Sequence, residues 1–287
     1  MTTTTKFGVD KAAVLENSRS KIAVPEALSV GRHRRPHPSA VNQWWVLTSR
    51  TVRSMVKRYE LLIAVIAPLI FTVGFYLPLK FVMQIRGLDY AQFLMPIIVL
   101  QAMAFTSISA AQMASTESIT GFSNRMKTMP VVGPIPLLSR QSSGFVRSTV
   151  SLAAALGFGH VIGFRFSAGL GQAVLFCVVA LAFSTCLSFF GDAIGSLSKS
   201  PQATSQALTL PQLILGMLSC GFVPETGFPE WIRPFVRNQP VSQFSFAMRD
   251  LAQGGVTWDV LFPVVAWTVG LLVVVAPLAF WASMRRS

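Results

Sequence analysis

The chain has 287 residues, 52% of them hydrophobic and only 12% charged, with 22 Phe. A soluble domain carries about 25% charged residues, so a soluble globular protein is excluded and an integral membrane protein is expected. The net charge of +13 does not point to nucleic acid, because the basic residues gather in the N-terminal tail and at the ends of apolar segments, where positive-inside topology accounts for most of them.

Residues 1–40 hold no sustained apolar run and no signal-peptide core, so a disordered cytosolic tail is expected. His33 and His37 are either a metal-binding pair or solvated tail histidines near anionic lipid, and the second reading is the expected one. From Val41 to Tyr59 the pattern changes. At 100° per residue, Val41, Trp44, Trp45, Thr48, Val52, Met55, Val56 and Tyr59 share one side, while Arg50, Arg53, Lys57 and Arg58 share the other. A basic amphipathic helix with tryptophans is suited to the inner membrane surface.

Six apolar spans follow, near 61–81, 93–116, 144–164, 170–197, 203–222 and 260–283. Each is long enough to cross roughly 30 Å of hydrocarbon as a helix. The third contains Arg147 and His160 and is the weakest. With both termini inside, basic residues divide 18 inside to 6 outside, which supports cytosolic ends in the plasma (inner) membrane. Residues 60–284 then form an all-α membrane domain with a polar cytosolic loop at 117–140. A semi-apolar outer segment at 226–255 carries Pro229, Pro234 and Pro240. Within it, Trp231, Ile232, Phe235 and Val236 suit one short helix, and Val241, Phe244, Ser245, Met248 and Leu251 suit another. Neither can span the bilayer, so a re-entrant or interfacial helical pair is expected.

The chain has no G-x-x-x-x-G-K-[ST], H-E-x-x-H, C-x-x-C or G-x-S-x-G motif. Ser167–Gln172 faintly echoes a transport-ATPase signature but sits in a short outer turn. Cys177, Cys186 and Cys220 lie within apolar runs and read as buried small side chains. The pairs Gly159/Gly163 and Gly191/Gly195 have the spacing of helix-packing motifs. Asp192 is either an interfacial carboxylate capped by Lys199 or Ser196, or a coupling-ion site. Polar residues recur in spans two and five. Gln101, Ser109, Thr209 and Gln212, with Phe105, are candidates to line an amphiphile's route, and interhelical hydrogen bonding is the competing reading.

The amphipathic helix, six spans, basic loop and proline-broken outer pair together resemble an ABC-2 type exporter permease. The run "FPEWIRPFVRNQPVSQFSFAMRDLAQGG" is similar to the family's Pro-x-Trp-Ile/Leu stretch followed by Pro and then Arg, and here carries Trp231, Pro234, Arg237, Pro240 and Arg249. "ESITGFSNRMKTMPVVGPIPLLSR" resembles the family's Glu-x-x-x-Gly opening. "VIGFRF" with "PFVRNQPVSQF" resembles the mycobacterial DrrB-like, daunorubicin-type branch. The resemblance covers positions 41–284.

It implies a non-catalytic half-transporter that pairs with a DrrC-like second permease, or a second copy of itself, and with two copies of a DrrA-like ATPase. ATP and Mg would be bound by that partner and no cofactor by this chain. Export of an anthracycline-type drug or of a complex lipid such as phthiocerol dimycocerosate is implied. The 117–140 loop would be the coupling segment, with Glu117, Gly121, Phe122, Arg125 and Met126 against the ATPase. Trp44, Trp45, Arg50, Arg53 and Lys57 would anchor the inner surface. An ion-coupled secondary carrier of amphiphiles is the alternative. It calls for acids or histidines at mid-depth and often for inverted repeats, neither of which is evident. A membrane enzyme would need a catalytic cluster, and Asp192, Glu117 and His160 are scattered along the spans.

Overall fold

A computed structural model describes residues 39–78, 80, 89–121 and 133–285. The expectations for the N-terminal tail, His33 and His37 included, and for Phe122, Arg125 and Met126 lie outside the described residues. Among the described residues the protein is all helix and turn.

Helix α1 (Ala40–Lys57) starts at Ser39, whose hydroxyl accepts from the Asn42 amide at 3.3 Å. Helix α2 (Glu60–Phe71) follows an elbow in which Tyr59 adopts φ 59, a left-handed conformation that side chains disfavour. The two helices are bent by 63°. Pro68 lies inside α2 and lacks an amide proton. The Thr72 hydroxyl bonds the Pro68 carbonyl at 2.8 Å, and the helix widens into a π turn over Thr72–Tyr76.

Helix α3 (Tyr90–Ile119) is the axis of the molecule. Its apolar stretch is 78% buried, against 11% for the last helix. Helix α4 (Ile135–Ile162) opens behind Pro134 and stops at Gly163, φ 104. Helices α5 (Leu170–Leu197) and α6 (Pro201–Met217) follow, the latter capped by Ser200. Two short helices, α7 (Arg233–Asn238) and α8 (Pro240–Gln253), precede α9 (Trp258–Arg285).

Among the described residues four helices, α3, α4, α5 and α9, are long and apolar enough to cross a membrane, and the bent α1–α2 pair raises the number to five if it counts as one span. Helix α6 has 17 residues. The boundaries of α5 match the expected 170–197, whereas α4 begins nine residues before the expected 144. The polar stretch from Ile135 to Ser143 is therefore helix, and Arg140 belongs to α4 rather than to a loop.

Helix α5 packs along α3, α9 packs on α5, and α1 and α2 both lie along α4. In lipid the apolar effect does not drive helices together, so close contact must do so. Gly191 and Gly195 bring α5 onto the α3 backbone: a methyl group at Gly195 would sit 2.2 Å from the Ala111 carbonyl oxygen, and one at Gly191 2.6 Å from that of Ser107. The other predicted glycine pair divides. Gly159 faces the Met95 side chain, and Gly163 is the left-handed cap of α4 rather than a packing residue.

Helix α8 buries the expected Phe244, Ser245, Met248 and Leu251, with Phe244 4.8 Å from Phe183 of α5. The three cysteines are free, and Cys186 and Cys220 are buried.

Candidate functional site

Among the described residues, the most highly charged buried site lies where α3 ends, α4 begins and α5 ends. Arg140 stands in the second turn of α4. Its Nε and Nη2 donate to the two carboxylate oxygens of Asp192 at 2.8 and 3.0 Å, a bidentate fork. Its Nη1 donates to Glu117 Oε2 at 3.0 Å. Asp192 is 1% exposed, so both expected roles for it change: it is neither capped by Lys199 or Ser196 nor open as an ion site, but held by Arg140. Glu117 lies in the last turn of α3, and Gly121 follows in a left-handed turn, φ 68, with open space around it. The chain from 122 to 132 joins the two helices that Glu117 and Arg140 tie together. One guanidinium thus fixes three helix ends at the root of that connection.

Arg147, two turns further along α4, is also buried. Its Nη2 donates to the Thr106 carbonyl at 2.9 Å, and its Nη1 is 3.7 Å from Glu60 Oε2, at the start of α2. Both arginines, counted among the 18 basic residues on the inside, are thus paired helix residues rather than loop charges. Beside Arg147, the hydroxyls of Thr106, Ser148 and Ser184 form a buried triangle with sides of 3.0, 3.0 and 2.7 Å. Ser143, Arg147, Ser148 and Ser151 are all buried, so α4 turns a polar stripe inward. That stripe was not foreseen from the sequence, where its partners lie 36 to 87 residues away.

Beside this network a cleft of about 560 Å³ separates α1 from the C-terminal end of α3, with Arg50, Arg58, Glu60, Ile63, Gln112 and Glu117 in its lining. Of the expected inner-surface residues, Trp44 donates its indole proton to Ser142 at 3.0 Å, which docks α1 on α4. Trp45, Arg53 and Lys57 are exposed.

Residues expected along an amphiphile's route make contacts between helices. Gln212 donates to Gln101 at 3.4 Å, joining α6 to α3, and Phe105 packs on Phe71 with centroids 5.2 Å apart. The Thr209 hydroxyl bonds back to Ser205, while Ser109 lines the cleft. At the opposite end, Trp231, Pro234 and Arg237 are exposed, and Pro240 opens α8. Arg249 is different: it lies 3.6 Å from the Phe93 ring centroid and donates to the carbonyls of Phe93, Cys220 and Gly221 at 2.8–3.1 Å. It therefore ties α8 to the start of α3 and the chain after α6.

Comparison with known proteins adds direct findings. Residues 86–285 match the family model described as ABC-2 family transporter protein. The chain is 35% identical to the doxorubicin resistance ABC transporter permease protein DrrB of Mycobacterium tuberculosis, over 93% of this chain and 94% of that one. It is 30% identical to the probable doxorubicin resistance ABC transporter permease protein DrrC of the same organism, over 83% and 87%. It is 28% identical to the daunorubicin resistance ABC transporter permease protein DrrB1 of Streptomyces coeruleorubidus, over 76% and 77%.

Proposed function

Because the chain belongs to the ABC-2 family of transporter proteins, we propose that it is the permease half of an ATP-driven exporter of anthracycline-type drugs. It is a non-catalytic membrane subunit, and ATP hydrolysis belongs to a separate partner. The observation that carries the substrate class is similarity along nearly the whole chain to permeases named for doxorubicin and daunorubicin resistance. Those names favour a flat, amphiphilic drug over a complex lipid such as phthiocerol dimycocerosate.

In this reading the domain has six spans. Helix α2 with its π turn and helix α6 supply the two beyond α3, α4, α5 and α9, each running roughly 26 Å at 1.5 Å per residue. Helix α1 lies along the inner surface, α7 and α8 form the outer re-entrant pair, and both termini are cytosolic. Cysteine introduced at the exposed Asn238 is expected to react with an impermeant maleimide from outside the cell; protection there, with labelling at Asn124, would invert the topology.

The connection between α3 and α4 receives the ATPase, two copies of which serve this subunit and a second permease. Movement entering at residues 122–132 reaches α3, α4 and α5 together, because Arg140 holds their ends as one block. The complex purified from native membrane is expected to contain an ATPase subunit. Phe122→Lys is expected to reduce drug-stimulated ATP hydrolysis by about tenfold or more, the size of losing one well-packed contact at an interface, with basal hydrolysis retained. A lone protein that carries drug on a proton gradient would defeat the proposal.

A further inference from the structure

The cleft between α1 and the C-terminal end of α3 is lined by hydroxyls that the coupling role of its neighbours does not use. Five of them, on Thr51, Ser109, Thr116, Thr120 and Ser139, belong to its wall. Each donates its proton to a backbone carbonyl three or four residues back, at 2.8–3.4 Å. A hydroxyl has one proton and two lone pairs, so what these five offer the cleft is acceptors. The carboxylate oxygens of Glu60 and Glu117 add to them. The carboxamides of Gln112 and Gln202, both on exposed side chains, supply donor and acceptor together.

Other ligand classes fit this wall poorly. Among the described residues no aromatic side chain lines the cleft, so a flat ring system has nothing to stack on. Arg50 and Arg58 share the lining with Glu60 and Glu117, so charge selects neither an anion nor a cation. No group of three metal-ligating side chains occurs among the described residues. A neutral group whose hydroxyls both donate and accept matches what is there, and a sugar ring is such a group. The volume of about 560 Å³ lies in the usual range of small-molecule sites. At its edge the wall turns aliphatic: Ile63 lines it and is 62% exposed, and Ile66 continues the exposed side of α2 one turn further on.

We propose that this cleft binds the glycosyl group of an amphiphile. The sugar hydroxyls donate to Thr51, Ser109 and Thr116 and accept from Gln112, and the apolar remainder of the molecule leaves along Ile63 and Ile66. Such a ligand is either a glycosylated drug or the head of a glycolipid. The drug source rests on the exporter reading; the chemistry of the cleft does not.

The test uses the full chain in phosphatidylcholine nanodiscs and follows the fluorescence anisotropy of doxorubicin, a glycoside, and of its aglycone doxorubicinone. The glycoside is expected to bind roughly tenfold more tightly, the worth of one or two net hydrogen bonds. N-acetyldoxorubicin keeps the sugar and loses its charge, and is expected to stay within about threefold of doxorubicin. Gln112→Leu with Thr116→Val is expected to abolish the difference between glycoside and aglycone. Thr149→Val removes an exposed hydroxyl that does not line the cleft and is expected to leave the difference unchanged. Gln112 and Thr116 are exposed, so the double variant keeps the core intact. Native mass spectrometry with monoglucosyl diacylglycerol and diacylglycerol in the nanodisc reads the second source. Retention of the glucosylated lipid alone, lost in the double variant, with no drug bound, would keep the sugar site and defeat the drug-export reading instead. Drug binding that is equal for glycoside and aglycone, or unchanged in the double variant, together with equal retention of both lipids, would overturn the cleft proposal and leave the export reading standing. A fall of N-acetyldoxorubicin to the aglycone level would overturn it too, because charge rather than hydroxyls would then be read. So would failure of every glycoside to bind.

Discussion

Arg140→Ala is expected to lower the stability of the membrane domain by about 3–5 kcal/mol, the usual consequence of removing one partner from a buried ion pair. The reason is what remains. Asp192 is 1% exposed and takes both arms of the Arg140 fork, so the alanine variant leaves a carboxylate with no counter-charge in the interior. Glu117 loses its partner as well, and the ends of α3, α4 and α5 lose their common tie. The measurement is the unfolding midpoint in detergent of the variant against the parent. A second variant separates charge from fold: Arg140→Met with Asp192→Leu removes the whole pair and is expected to recover most of the lost stability, because apolar replacement of a buried pair is often neutral. Such a double variant is then expected to be folded yet poorly coupled. An Arg140→Ala protein that melts with the parent would show that the fork is not structural.

Gly195→Ala is the second large effect expected, a loss of about 3 kcal/mol, at the upper end of what overpacking costs. The added methyl group would lie 2.2 Å from the Ala111 carbonyl oxygen and 2.9 Å from its carbon. Both are backbone atoms of the axial helix, so no side-chain rotation relieves the clash and α3 and α5 must separate. Gly159→Ala makes the control, since its methyl group meets only the flexible end of Met95 and is expected to cost much less. Equal loss in the two variants would mean that contact with the α3 backbone is not what makes Gly195 sensitive, since alanine favours the helix over glycine at both positions.

Much of this architecture was legible in the residues. The uninterrupted apolar run of α5 gave its limits, and the spacing of Phe244, Met248 and Leu251 gave the buried face of α8. Gly191 and Gly195 were read as a close helix contact and are one. What escaped detection was long-range. Polarity made the stretch around Arg140 look like loop, because a charged residue in a membrane helix is tolerated only when another helix supplies its partner, and that partner, Asp192, is 52 residues away. Gly163 shows the same limit at short range. Its four-residue spacing from Gly159 fits a packing pair, yet the helix ends there and the left-handed turn uses the glycine instead. For Gln101 and Gln212 composition could not separate a route from interhelical hydrogen bonding, and the structure places a 3.4 Å hydrogen bond between the two.

The triangle of Thr106, Ser148 and Ser184 has a further consequence. Thr106 also reaches the Met103 carbonyl and Ser148 that of Gly144, so five oxygen contacts share three hydroxyl protons. At least two contacts lack a proton at any instant, and several arrangements of the protons are compatible with one arrangement of heavy atoms. A small slide of α4 against α3 and α5 can exchange one arrangement for another without leaving a donor stranded. The middle of the molecule is in this sense a joint with slack, while its charged end has none. The Arg140 fork, by contrast, supplies a separate donor to each of its contacts.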